Sequence, residues 1–257
     1  MEIDTRWFEF QAAEIQYATV RLPDTDGFLP PANELAGADV NTFVPTAGGV
    51  IIGVPKQERG IRPARALPYE LNVHGTVDTV RSTLRLDFIN TGDATVVFQV
   101  RSADATVAVR NYTVEPGKRL ADTWSIASAY DLSVYGPNGF ARFFKGSVGA
   151  KAATLHVHSS YGSEDGGELR WQIRNFGEHK VTVNVLDAYT GNQVTRQLRD
   201  DEEFNENVSL NALHGWYDLI VTVADDPTFN YRLAGHVETG RDSFSDPALG
   251  GLVTLKG

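Results

Sequence analysis

Apolar and polar positions alternate along much of the chain after residue 68. In 83–89, Leu84, Leu86 and Phe88 share one face, which is the period of two expected of a half-buried strand. Asn90-Thr91-Gly92-Asp93 then supplies turn chemistry, and Val96, Phe98 and Val100 resume the alternation. The spacing predicts strands over 69–75, 83–89, 95–101, 106–113, 119–126, 130–135 and 140–148. The stretches Glu115-Pro116-Gly117-Lys118 and Gly136-Pro137-Asn138-Gly139 separate some of them. No helical periodicity of useful length competes. Seven short strands at this spacing predict an all-β fold, an antiparallel sandwich of the immunoglobulin or fibronectin kind.

The pattern then returns. Leu84-Arg85, Asn90, Gly92 and Val100 align with Leu169-Arg170, Asn175, Gly177 and Val185 at an offset of 85. Tyr130-Asp131-Leu132 aligns with Tyr217-Asp218-Leu219 at 87, and Phe140 and Gly146 with Phe229 and Gly235 at 89. Offsets that grow at loops are those of a duplicated unit with small insertions. Two tandem sandwiches are expected, 69–149 and 150–240, each with its own core, followed by a tail over 241–257.

Residues 1–68 read differently. They hold seven of the eleven prolines, and Gly37, Gly48, Gly49, Gly53 and Gly60 add to them. Proline removes an N–H donor and restricts its predecessor, so an extended connecting segment, or the remnant of an upstream domain, is expected here. The apolar patches Trp7-Phe8-Glu9-Phe10 and Val50-Ile51-Ile52 imply that it packs against something.

Charge and composition narrow the function classes. A formal net charge of −10 on 257 residues disfavours nucleic acid and anionic membranes, both of which need a cationic footprint. The sequence has no cysteine, so disulfides and thiolate-ligated metals are excluded. No apolar run approaches the ~20 residues that span a bilayer. Residues 1–10 lack the basic start and apolar stretch of a secretory signal, so none is expected within this chain.

Candidate chemistry is sparse. No P-loop, dinucleotide fingerprint, Gly-x-Ser-x-Gly or His-Glu-x-x-His is present. His156 and His158 share a strand face and a metal would need a third ligand; they read as solvent-face histidines. Asp200-Asp201-Glu202-Glu203 and Asp225-Asp226 lack Ca²⁺-loop spacing and read as solvated turns. Tyr130-Asp131 and Tyr217-Asp218 read as structural, each ring at the core edge with its hydroxyl bonded to backbone. In the dense aromatic stretch 140–144, alternation sets Phe140 and Phe144 on one face and Phe143 on the other. One face is expected to be core. The three are the candidates for contact with lipid or a partner.

Longer motifs carry a family resemblance. Residues 54–71, VPKQERGIRPARALPYEL, resemble the stretch joining catalytic and C-terminal domains in bacterial phosphocholine-specific phospholipases C. Residues 130–140, YDLSVYGPNGF, resemble the end of that family's first C-terminal repeat. Residues 215–218 and 235–250, GWYD and GHVETGRDSFSDPALG, resemble the end of the second. The resemblance implies an enzyme that splits phosphatidylcholine or sphingomyelin into phosphocholine and diacylglycerol or ceramide. It also implies secretion or a periplasmic location. The family's catalytic domain is phosphatase-like and lies upstream, supplying the nucleophile and metal-binding acids. No position here corresponds to them, so no catalytic, cofactor or metal residue carries over. The expected partners are that upstream domain and a zwitterionic phospholipid surface. The alternatives are a free-standing two-sandwich binding protein for choline lipids or carbohydrate, and a structural or oligomerising segment.

Overall fold

The computed structural model describes residues 41–43, 52–54, 60–162 and 167–256. The chain divides into a unit over 1–58 and a unit over 59–257. Within the first, β1 (Asn41–Phe43) pairs antiparallel with β2 (Ile52–Val54), Phe43 opposite Ile52. Most of the stretch read as an extended connecting segment, including both apolar patches in large part, lies outside the described residues.

The second unit opens with β3 (Pro63–Ala64). A run of seven strands follows: β4 (Leu71–Asp78), β5 (Thr83–Asn90), β6 (Val96–Ser102), β7 (Arg110–Val114), β8 (Lys118–Ser125), β9 (Ala129–Tyr135) and β10 (Ala141–Ser147). A second run holds β11 (Leu155–Gly162), β12 (Glu168–Asn175), β13 (Val181–Asp187), β14 (Gln193–Leu198), β15 (Glu203–Ser209), β16 (Trp216–Val223) and β17 (Asp226–His236). β18 (Ser243–Phe244) lies in the tail, and one 3-10 turn, Asn211–Leu213, precedes β16. Among the described residues there is no α-helix.

Local chemistry sets the strand ends. The stretch expected as a strand over 106–113 starts only at Arg110. Asp104 explains the delay: its Oδ1 accepts from the Thr106 N–H at 2.9 Å and the Thr106 hydroxyl at 2.7 Å, folding 103–109 into a loop. Asp78 stops β4 in the same way, accepting from the backbone N–H groups of Val80 and Arg81.

Each run divides into a three-stranded and a four-stranded antiparallel set. The three-stranded sheets are β4-β5-β8 and β11-β12-β15. The four-stranded sets are joined edge to edge into one eight-stranded sheet, ordered β14-β13-β16-β17-β10-β9-β6-β7. The joint is β10 against β17, from Ala141 opposite Ala234 to Lys145 opposite Asn230. It is symmetric under the 89-residue offset: Arg142 faces Leu233, and their counterparts Tyr231 and Phe144 face each other. Joining these strands leaves neither exposed as an unpaired edge.

Leu84, Leu86 and Phe88 are fully buried, as are Phe98, Val100, Leu169 and Ile173. Burial of each such side chain stabilises the fold by about 1.5–3 kcal/mol. The expectation of a separate core in each run is corrected. The buried residues form one continuous cluster from Leu71 to Val237, because the shared sheet carries inward-facing side chains of both runs across the joint.

Two buried asparagines close equivalent corners. Asn90 Nδ2 donates to the carbonyls of Ala94 and Val114, and its Oδ1 accepts from the Gly92 N–H. Asn175 Nδ2 donates to the carbonyls of His179, Leu198 and Arg199, and its Oδ1 accepts from the Gly177 N–H. Each side chain satisfies backbone groups that the turn leaves out of the ladder.

Candidate functional site

Two clusters of polar side chains tie distant segments of the second unit together: one at the joint between the strand runs, the other where the tail meets the incoming chain.

At the joint, Arg142 of β10 is buried. Nη1 donates to the carbonyls of Ala141 and Ala234, each at 2.9 Å. Nη2 lies 2.9 Å from the Tyr217 hydroxyl, 3.0 Å from the Tyr161 hydroxyl and 3.1 Å from Asn72 Oδ1. Nε has no partner, and the guanidinium lies 4.3 Å from the Phe140 ring centre. Burial pushes the Tyr161 hydroxyl well above the usual phenol range, so it meets the guanidinium as a neutral dipole. A buried cation served by dipoles is costly. What Arg142 provides in return is connection, since its partners come from β4, β11, β16 and β17.

The repeated tyrosines serve the same joint. Tyr130 stands opposite Gly146 and Tyr217 opposite Gly235. A Cβ on Gly235 would come within 2.9 Å of the Tyr217 hydroxyl, and one on Gly146 would collide with the Tyr130 hydroxyl; each ring lies flat on a bare strand. The expectation of backbone partners for these hydroxyls is corrected. Tyr130 bonds the Tyr231 hydroxyl at 2.9 Å, and Tyr217 bonds Arg142 and the Tyr161 hydroxyl. Both partnerships with the β10–β17 pair, Tyr130 with Tyr231 and Tyr217 with Arg142, cross from one run to the other. The adjacent aspartates differ. Asp131 is half-buried and pairs with Lys145 at 3.1 Å, whereas Asp218 is buried and holds Arg232 through two bonds of 2.7 and 2.6 Å.

Of the three aromatic contact candidates, Phe140 and Phe144 are buried, which corrects their candidacy for surface contact. Phe143 reaches the surface in part and meets Tyr135 edge-on.

His156 and His158 also need correction. They are half-buried beside β4, and His158 stacks on His74 with ring centres 4.4 Å apart. His74 Nε2 is 3.1 Å from the Ser159 carbonyl. Among the described residues no three histidine or acidic side chains converge as metal ligands. Burial, then the charge of His158, pulls His74 down from 6.5 to about 4. The fold therefore holds the neutral ring. Its contribution to stability is full above pH 6.5 and is lost as pH falls through about 4, a change of roughly 3 kcal/mol. Urea unfolding at a series of pH values should show this decline, and His74→Gln should flatten it. An equally steep decline in the variant would contradict the assignment.

The acidic runs are turn chemistry. Asp201 pairs with Arg174 at 2.6 Å and Asp225 with Lys151 at 3.6 Å. Asp226 is buried and accepts from Thr228 and from the Ala152 N–H. A cleft of about 630 Å³ is lined by Trp124, Ile126, Tyr130, Asp131 and Thr228 among others, with no histidine and none of these acidic-run residues.

The second place is a clasp. β18 pairs with β3, Ser243 opposite Ala64 and Phe244 opposite Pro63. The Gly60 N–H donates to the Gly250 carbonyl at 2.6 Å and the Ser245 N–H to the Arg62 carbonyl at 2.8 Å. The Leu67 N–H donates to Glu238 Oε2 at 3.0 Å, and Asn138 Nδ2 donates to Glu238 Oε1 at 2.6 Å. His236 Nδ1 lies 3.0 Å from Glu238 Oε1, and its Nε2 lies 3.2 Å from Ser243 Oγ. A serine, histidine and glutamate in sequence of contact is the layout of a hydrolytic triad. The hydrogen directions are different here. The Ser243 hydroxyl donates to the His214 carbonyl at 2.8 Å, and His236 Nε2 is 2.9 Å from that same carbonyl. An Nε2 that bonds a carbonyl carries the proton, so it has no lone pair to offer the serine. The cluster ties the tail to the sheet and the incoming chain.

Arg142, His74, Glu238 and His236 were not singled out by sequence reasoning. Arg142 had a signal: the parity that faces Phe140 and Phe144 inward places residue 142 between them. His74 had none, because its partner Ser159 lies far along the chain; His236 and Glu238 are neighbours in sequence, but the groups that make them a clasp, Leu67, Asn138 and the His214 carbonyl, are distant.

The fold and these clusters define a β-sandwich module whose buried polar groups are engaged in holding strands and chain ends together. The sequence matches the family described as bacterial phospholipase C, C-terminal domain, twice, over residues 63–147 and 149–236, and the chain belongs to that family. It is 42% identical over 236 residues to a non-hemolytic phospholipase C of Burkholderia pseudomallei and 37% identical over 239 residues to a non-hemolytic phospholipase C of Pseudomonas aeruginosa, covering 89% of this chain in each case. A hemolytic phospholipase C of Pseudomonas aeruginosa is 35% identical over 224 residues, or 76% of this chain. The chain spans about a third of the length of these curated relatives, 33%, 34% and 30% respectively.

Proposed function

We propose that this chain is the non-catalytic C-terminal part of a phospholipase C that hydrolyses phosphatidylcholine or sphingomyelin to phosphocholine and diacylglycerol or ceramide. Its tandem sandwiches support a catalytic domain that precedes them in the same polypeptide. The observation that carries this reading is the clasp. The chain entering the sandwiches is hydrogen-bonded to their tail from Gly60 to Leu67, which gives the preceding part of the protein a fixed point of attachment. The double family match and the one-third span of the relatives agree with it. The same reading places the protein outside the cytoplasm. Among the described residues no helix is long and apolar enough to cross a membrane.

The test is turnover. The purified chain and the full-length gene product are assayed on phosphatidylcholine vesicles and on p-nitrophenylphosphocholine. Hydrolysis is expected from the full-length product alone. Turnover by the isolated chain that a point substitution within it abolishes would refute the reading.

A further inference from the structure

The clasp displays apolar surface. Leu249 and Leu252 are 70% and 60% exposed, and Leu67, Phe244 and Leu255 are also exposed. Leu249 and Leu252 flank the point of chain entry. Gly250, between them in sequence, lies so close to Gly60 that a Cβ would come within 2.5 Å of the Gly60 carbonyl. The turn that carries them is built. Asp246 Oδ1 accepts from the Ala248 N–H and from the Tyr189 hydroxyl, each at 2.8 Å. The Gly250 N–H donates to the Asp246 carbonyl and the Leu252 N–H to the Pro247 carbonyl, each at 3.0 Å. Exposed leucines on an ordered turn leave apolar surface in water where a frayed end would cost nothing to fold away, and such patches mark interaction sites.

We propose that the Leu249–Leu252 turn, with Phe244 and Leu67, is the surface on which the domain preceding the sandwiches in the same polypeptide packs. The inference rests on the reading given under Proposed function and adds the contact surface. The path of the chain selects the occupant. The curated relatives are about three times as long as the region they share with this chain, and a preceding domain must connect to the sandwiches through Gly60, beside these leucines. A tethered domain meets this surface at high effective concentration, which favours it over any partner free in solution.

Hydroxyl-radical footprinting of the full-length gene product tests this, with Val80, which is 92% exposed on a distant turn, as internal reference. The expected result is loss of labelling at Leu249 and Leu252 with labelling retained at Val80. Equal labelling at all three overturns the proposal. The double substitution Leu249→Ser, Leu252→Ser touches exposed side chains and leaves the sandwich core intact. In the full-length protein it is expected to split a single melting transition into two; an unchanged single transition overturns the proposal. Protection that appears only when phosphatidylcholine vesicles are added means that the surface faces lipid, and also overturns it. Failure of the underlying reading is seen separately: a full-length product without activity on p-nitrophenylphosphocholine refutes that reading whatever the labelling pattern.

Discussion

Replacing Arg142 with alanine is expected to destabilise the sandwiches by roughly 3–5 kcal/mol, and replacing it with methionine is expected to restore at least half of that loss. Two effects oppose each other. Removing the guanidinium relieves a buried charge that has no carboxylate among its partners, and such relief can stabilise a protein. Against this, alanine leaves a cavity at the meeting point of β4, β10, β11 and β16, and cavities in cores are expensive. The hydrogen bonds decide less than their number suggests. The Tyr161 hydroxyl still donates to the Leu71 carbonyl at 2.6 Å, the Ser159 hydroxyl still donates to Asn72 Oδ1 at 2.6 Å, and Tyr217 keeps Tyr161 at 2.8 Å. Lost volume therefore outweighs lost hydrogen bonding, and methionine supplies volume without charge. Equilibrium urea unfolding of the three proteins checks the order. A methionine variant no more stable than the alanine variant would show that the cation itself, and not the space it fills, holds the joint.

Asn175→Ala is expected to cost roughly 2–4 kcal/mol, and Asn175→Asp more than that at neutral pH. The amide of Asn175 donates to three backbone carbonyls and accepts from one backbone N–H in a fully buried corner. Alanine removes all four bonds. Aspartate keeps the shape but points a charged acceptor at three carbonyls, which is the wrong polarity for the site. Asn90 has the same partner types, with two carbonyls and the Gly92 N–H, so Asn90→Asp should behave alike. Chemical denaturation of each pair gives the comparison. An aspartate variant as stable as wild type at neutral pH would mean that the corner is wet and the amide is not its organiser.

Much of the fold was legible in the sequence because strand formation here is local. Leu84, Leu86 and Phe88, and then Val96, Phe98 and Val100, alternate within a few residues, and the observed strands β5 and β6 follow them closely. The repeated Asn-x-Gly and Tyr-Asp positions were visible as well. Their roles were read less well. Asn90 reads as a turn former on the basis of propensity and Asn175 as its counterpart in the repeat, but both are buried organisers whose partners include residues about 24 positions away. Tyr130 and Tyr217 were placed at a core edge, but each hydroxyl reaches a residue of the other run, Tyr231 and Arg142 respectively. Arg142 was passed over because arginine is seldom buried, although period-two parity pointed it inward.

The class of protein is written in local pattern and composition: an all-β chain with two similarly patterned runs, no cysteine chemistry, an acidic charge and motifs that resemble the C-terminal part of a phospholipase C. Those properties are local or summed over the chain, so they need no knowledge of what touches what. Three features emerge only on folding: the two runs share one eight-stranded sheet, Arg142 lies at its joint, and the tail clasps the incoming chain. Each of these depends on a pairing between distant segments, β10 with β17 or β3 with β18. Alternation states which face of a strand is apolar, but the neighbour and register of that strand follow from the packing of the whole.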